Sequence, residues 1–201
     1  MKKANIWSLK LNTAALVLIP AAVGINYIGK MFAQVLKLPL WLDAIGTVLA
    51  GLLAGPVVGA ICGAINNIIY GLTMDPISFV YALSSIGIGV VVGVLARLDK
   101  AKGIKGILGM GVSVVLVSVI ISTPINMIFW GGTTGNIWGD ALFAWATANH
   151  VPGILASALD ELVVDIPDKF ATIFVSYAIF KCLPQKLVLM YDSQSEIEYL
   201  D

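Results

Sequence analysis

Four carboxylates and a lysine crowd one otherwise apolar stretch: Asp160, Glu161, Asp165, Asp168 and Lys169 all fall within Gly153–Phe180. Carboxylates in such surroundings can move protons, pair with cations or accept hydrogen bonds from a ligand, so each is a functional candidate by default. Lys169 follows Asp165 by four residues, the spacing of a helical ion pair, and that pair reads as structural. Asp160 and Glu161 have no such partner in the sequence. A buried carboxylate needs a cation, a donor or water, so at least one of the two is expected to touch a ligand. Catalysis is the rival use, yet no intramembrane catalytic pattern accompanies these residues. The GxGD of aspartyl intramembrane proteases is missing, and Trp138-Gly139-Asp140 falls in an expected loop. The chain is therefore read as a non-enzyme with no catalytic residue. One histidine, His150, and two cysteines, Cys62 and Cys182, outside any CxxC pair argue against a metal site and a disulfide framework.

The elements that must position these groups follow from composition. Of 201 residues, 59% are apolar and 12% charged, with equal numbers of acidic and basic side chains. Soluble domains carry roughly 25% charge. The composition points to an integral membrane protein, and the zero net charge gives nucleic acid no basic field to bind. Uncharged stretches place a first helix over Leu11–Gly29, a pair of short helices over 43–54 and 56–72 split at Gly55-Pro56, and a fourth over Pro76–Ala96. A fifth covers Gly106–Phe129 and a sixth, with Pro167 as a candidate kink, Gly153–Phe180. Trp130–Gly139 reads as an interfacial loop, and 141–149 as a short surface helix. The expected fold is an all-α bundle of six transmembrane helices: residues 1–184 form one membrane domain and 185–201 a polar cytoplasmic tail. Both termini then share one side. With that side cytoplasmic, Lys2, Lys3, Lys10, Arg97, Lys100, Lys102, Lys105, Lys181 and Lys186 lie inside against Lys30 and Lys37 outside, the bias expected of a plasma-membrane protein. Gly51, Gly55, Gly59 and Gly63, and Ser85, Gly89 and Gly93, recur every four residues and read as close helix packing.

In this layout the polar residues gather at the outer end of the bundle. Asn26, Asn66, Asn67, Ser84, Asn126, Trp130, Asp160 and Glu161 form the expected substrate-binding set, a cup for a small polar ligand. Asp43 and Asp75 are read first as helix and turn caps, Asn66 and Asn67 equally as interhelical glue, and His150 as a surface residue. Substituting Asn67 or Glu161 by Ala is expected to weaken binding. Carboxylates outnumber cations here, which favours an amine-bearing or heteroaromatic ligand over a strongly anionic one.

Trp41-Leu42-Asp43-Ala44-Ile45-Gly46-Thr47, with Ala54-Gly55-Pro56-Val57-Val58-Gly59 and Gly63-Ala64-Ile65-Asn66-Asn67, resembles the second and third helices of S components. These are the substrate-binding subunits of energy-coupling factor (ECF) transporters. The resemblance implies capture of a vitamin or vitamin precursor from outside, under loops at Lys30–Leu40 and Trp130–Asp140. It further implies delivery inward with a transmembrane coupling protein and two cytoplasmic ATPases, in a bacterial or archaeal cell membrane. ATP would be used by those partners, in keeping with the missing Walker pattern here, and this chain would carry no cofactor. The family's small-residue face on helix 1 maps imperfectly onto Ala14, Ala15, Ala21 and Ala22, a partner interface by the same resemblance. Membrane sensor domains of bacterial signalling proteins are similar too, and a ligand sensor is the alternative function.

Overall fold

The computed structural model of the protein describes residues 6–7 and 13–192, and every regular element in that range is helical. Lys2, Lys3 and Lys10, which enter the orientation argument, and residues 193–201 of the expected tail lie outside the described residues. In chain order the helices are α1 (Thr13–Val35), α2 (Ile45–Ala54), α3 (Pro56–Thr73), α4 (Ala82–Arg97), α5 (Gly103–Trp130), α6 (Ile137–Ala148), α7 (Gly153–Cys182) and α8 (Gln185–Asp192), with a single 3-10 turn at Pro76–Phe79.

The chain is a membrane-embedded, multi-pass protein. Helices α1, α3 and α5 are each long and apolar enough to cross a bilayer, and α7 with α8 makes a fourth candidate, bent by 108° at their junction. Helices α2 and α4 are apolar but shorter, at 10 and 16 residues. The expectation of six spans thus meets three full-length apolar helices and one bent pair.

The split at Gly55-Pro56 is present and has a local cause. Gly55 sits at φ +90°, a conformation disfavoured for any residue with a Cβ, and Pro56 opens α3 where its missing N–H costs nothing. The Arg97 guanidinium donates to the Ala54 carbonyl at 3.2 Å, closing the C-terminus of α2 from α4. Along α3 and α4 the glycine spacing does bring backbones together: a Cβ on Gly89 would stand 2.3 Å from the carbonyl carbon of Gly59. The apolar core lies around α2. One side joins Ala15, Leu18 and Ala22 of α1 to Leu49, Leu53 and Val58. The other joins Val48 to Val92, Val114 and Ile173, and reaches Ile88.

Several boundaries differ from the sequence expectation. α1 does not stop at Gly29 but continues to Val35, so Lys30–Val35 are helical and the loop before α2 spans only residues 36–44. The expected fourth span begins instead with the 3-10 turn, whose Asp75 side chain accepts from the Ile77 N–H, the capping role read from the sequence. The loop after α5 spans residues 131–136, since Trp130 ends α5 and Ile137 begins α6. α7 runs through Pro167. Within the expected tail, residues 185–192 form α8, whose Tyr191 hydroxyl donates to the Ala14 carbonyl at 3.2 Å.

Candidate functional site

One end of the bundle holds a cavity of about 670 Å³, part of it open to solvent. Its wall is assembled from the C-terminal half of α1, the N-terminal half of α4, the C-terminal half of α5 and the middle of α7. The loop 36–44, the 3-10 turn and Thr134 close over it, and Ile88 lies at its margin with the core.

Helix α7 supplies the charged wall. Glu161, Asp165 and Lys169 are spaced by four, which stacks them on one face of the helix, and all three line the cavity. Lys169 is 3% exposed; its Nζ stands 2.6 Å from Asp168 Oδ2 and 3.1 Å from Asp165 Oδ1. The second contact is an ion pair, and neither carboxylate oxygen of Asp165 has an aligned hydrogen-bond donor. The Asp165–Lys169 bridge read from the sequence is present, and it faces the cavity. Asp168 points the other way. Its Oδ1 accepts from the backbone N–H of Trp41 at 2.9 Å and of Leu42 at 2.8 Å, which pins the loop that carries the Trp41 ring over the cavity. Leu42 is held at φ +51°, an uncommon conformation for a branched side chain that this clamp helps to fix.

The opposite wall carries Lys30. It is 8% exposed, donates to Ser78 Oγ at 3.1 Å, stands 3.8 Å from Asp43 Oδ2 and lies 4.1 Å above the Tyr70 ring. Tyr70 in turn donates to Gln34 on the next turn of α1. Asp43 is therefore a cavity residue. The first residue before α2 is Ala44, and no side chain of its own caps that helix.

Of the expected binding set, Ser84 and Glu161 line the cavity. Ser84 shares a hydrogen bond of 2.8 Å with Ser122 across α4 and α5. Asn126 stands behind the wall: its amide donates to Glu161 Oε2 at 2.9 Å, while its carbonyl accepts from Tyr81, so it positions two cavity residues. Asp160 faces away. It takes the Thr134 hydroxyl at 2.7 Å and the Thr134 N–H at 3.3 Å, anchoring the loop 131–136 to α7. Trp130 is half-buried beside Phe129, with its indole N–H unpaired, and does not line the cavity.

The remaining asparagines join helices. Asn26 donates to Thr47 Oγ1 at 2.8 Å and accepts from the Gly46 and Thr47 N–H groups, capping α2 from a neighbouring helix. Asn66 donates to the Asp43 carbonyl at 3.4 Å. Asn67 donates to Ser85 Oγ at 2.6 Å and to the Gly63 carbonyl, the glue role of the two read from the sequence. On the expected partner face, Ala15 and Ala22 are buried in the core, where the Ala22 carbonyl packs directly on Gly46 of α2. Ala14 is half-covered and receives Tyr191, and Ala21 is exposed. That face of α1 is largely used within the chain.

Sequence reasoning left out Lys30, Trp41, Tyr81, Ser118 and Ser122 and set Asp43, Asp165 and Lys169 aside as structural; all eight line the cavity. A signal existed in the fourfold spacing of Glu161, Asp165 and Lys169, and in that of Asn26, Lys30 and Gln34. Among the described residues no group of three or more His, Cys, Asp and Glu side chains is placed to hold a metal ion. Compared with protein-family models, curated proteins and solved structures, the chain matches none.

Proposed function

We propose that this chain is the substrate-binding subunit of an ECF-type importer, capturing a vitamin or vitamin precursor outside a bacterial or archaeal cell. In this reading the chain crosses the membrane six times with both termini cytoplasmic, and α2 and α4 complete the bundle as short spans. A coupling protein and two ATPases drive delivery, and those partners use the ATP. The observation that carries the reading is the polar cavity at one end of a largely apolar bundle. It is roofed by two loops that side chains of α7 hold in place. A few fixed polar groups in a roofed, partly apolar pocket suit reversible capture of a small molecule. The stretch that resembles S components contributes Trp41 and Asp43 to that cavity.

The test is purification of the tagged chain from its native membrane in mild detergent. Co-purification of a multi-pass coupling protein with two ATPases, and release of a stoichiometric small molecule on denaturation, is the expected result. Recovery of a signalling kinase or cyclase in their place overturns the importer and favours a sensor.

A further inference from the structure

Six charged side chains line the cavity: Asp43, Asp75, Glu161 and Asp165 against Lys30 and Lys169. Neither ammonium is left over for a ligand. Lys30 is committed to Ser78, Asp43 and the Tyr70 ring. Lys169 sits between Asp168 and Asp165, closer to Asp168. Glu161 accepts from a neutral donor, the Asn126 amide, on Oε2. Asp165 is 1% exposed, and beyond the Lys169 ammonium 3.1 Å from Oδ1 neither of its oxygens has an aligned hydrogen-bond donor. The buried α7 group thus holds three carboxylates and one ammonium. Ionised together, these groups leave an excess of negative charge that a low-dielectric interior makes costly, and a positive charge delivered into the cavity offsets that cost. The aromatic residues Trp41 and Tyr81, with Ile88, Ser118 and Ser122, also line the cavity. Aromatic faces attract cations as well as flat apolar bodies.

We propose that the cavity takes an organic cation, a protonated amine on a small flat body, with its ammonium seated between Glu161 and Asp165 and its body against Trp41 and Tyr81. This rests on the cavity being the substrate site of the capture reading. Such a ligand relieves the charge excess, gives Asp165 the donors it lacks and leaves both lysines in their present pairings. An anionic ligand would have to pull Lys30 or Lys169 out of those pairings and add to the excess.

Three probes of one body and different charge test it: benzylammonium, benzyl alcohol and benzoate, titrated calorimetrically into the purified chain in detergent near neutral pH. Benzylammonium is expected to bind saturably, at least about tenfold more tightly than benzyl alcohol, with benzoate weakest. Glu161→Gln should weaken benzylammonium about tenfold or more while leaving benzyl alcohol unchanged. Asp165→Asn should do the same, with thermal unfolding as the check that each variant is folded. Equal affinity for the three probes, preference for benzoate, or undiminished benzylammonium affinity in folded Glu161→Gln overturns the proposal. So does an absence of saturable benzylammonium binding up to about 10 mM. None of these outcomes touches the capture reading, which stands or falls on the co-purified coupling protein and ATPases.

Discussion

Along α3 and α4 the helices meet backbone to backbone, whereas around α7 they stand apart with charged side chains between them. At Gly89 and Gly59 no atom separates the two main chains, and the contact is held by shape alone. At Glu161, Asp165 and Lys169 the gap is kept by groups that cannot collapse into apolar packing, and a cavity results. The first region should be sensitive to volume and indifferent to charge. The second should be sensitive to charge and tolerant of small changes in volume.

The largest effect is expected on the charged side. Lys169→Met leaves Asp165 and Asp168 buried without their cation and should destabilise the protein by about 3–5 kcal/mol. Unfolding followed in detergent checks this; wild-type stability in Lys169→Met would end the distinction. Gly89→Ala comes next. Its methyl group runs into Gly59, and a loss of about 1–3 kcal/mol is expected in the same assay. The same exchange at Gly109, where a Cβ meets nothing within 4 Å, should be close to neutral or stabilising. Asn67→Ala removes the amide that joins α3 to Ser85 at the cavity wall and should cost about 1 kcal/mol of stability, with a smaller effect on cavity binding than Glu161→Ala. Glu161→Ala should alter binding. The two substitutions were expected to act alike, so their divergence sharpens the boundary between glue and site. Ser84→Ala is the smallest, at about 0.5 kcal/mol, because Ser122 keeps access to the cavity when its partner is lost.

The same division explains which features were legible in the sequence. Glycines at fixed spacing and the Gly55-Pro56 break are local signals, and the close approach and the helix boundary they announce are present. Position along a helix was legible in part: Ser84 and Glu161 of the expected binding set line the cavity, and Asn126 hydrogen-bonds Glu161 behind its wall. Direction around the helix was not, because it depends on neighbours remote in sequence. Asn26 turns to the N-terminus of α2 and Asp160 to Thr134, while Lys30, counted only as an outside charge, and Asp165, read as half of a bridge, turn to the cavity. The charge on Lys30 ended the apolar run, but Ser78, Asp43 and Tyr70 supply its partners, so α1 continues through it. Asp43 read as a cap because the true cap of α2, Asn26, comes from 20 residues upstream of Gly46. The short α8 lacks a long apolar run; its place is set by Val188 and Tyr191 packing on the core beside α1.

The shortness of α4 has a consequence for the surrounding lipid. Sixteen residues of helix rise about 24 Å, less than the roughly 30 Å of a typical hydrocarbon core. Leu83, near the N-terminus of α4, is exposed, so in the six-span reading proposed above this helix would present apolar surface to acyl chains. In that reading the bilayer beside it would thin or the helix ends would draw headgroups inward, and either adjustment is easier among short-chain lipids. With α4 as a span, acyl-chain length would act on this protein as a variable in its own right, favouring thin membranes and shifting its partition within a mixed one.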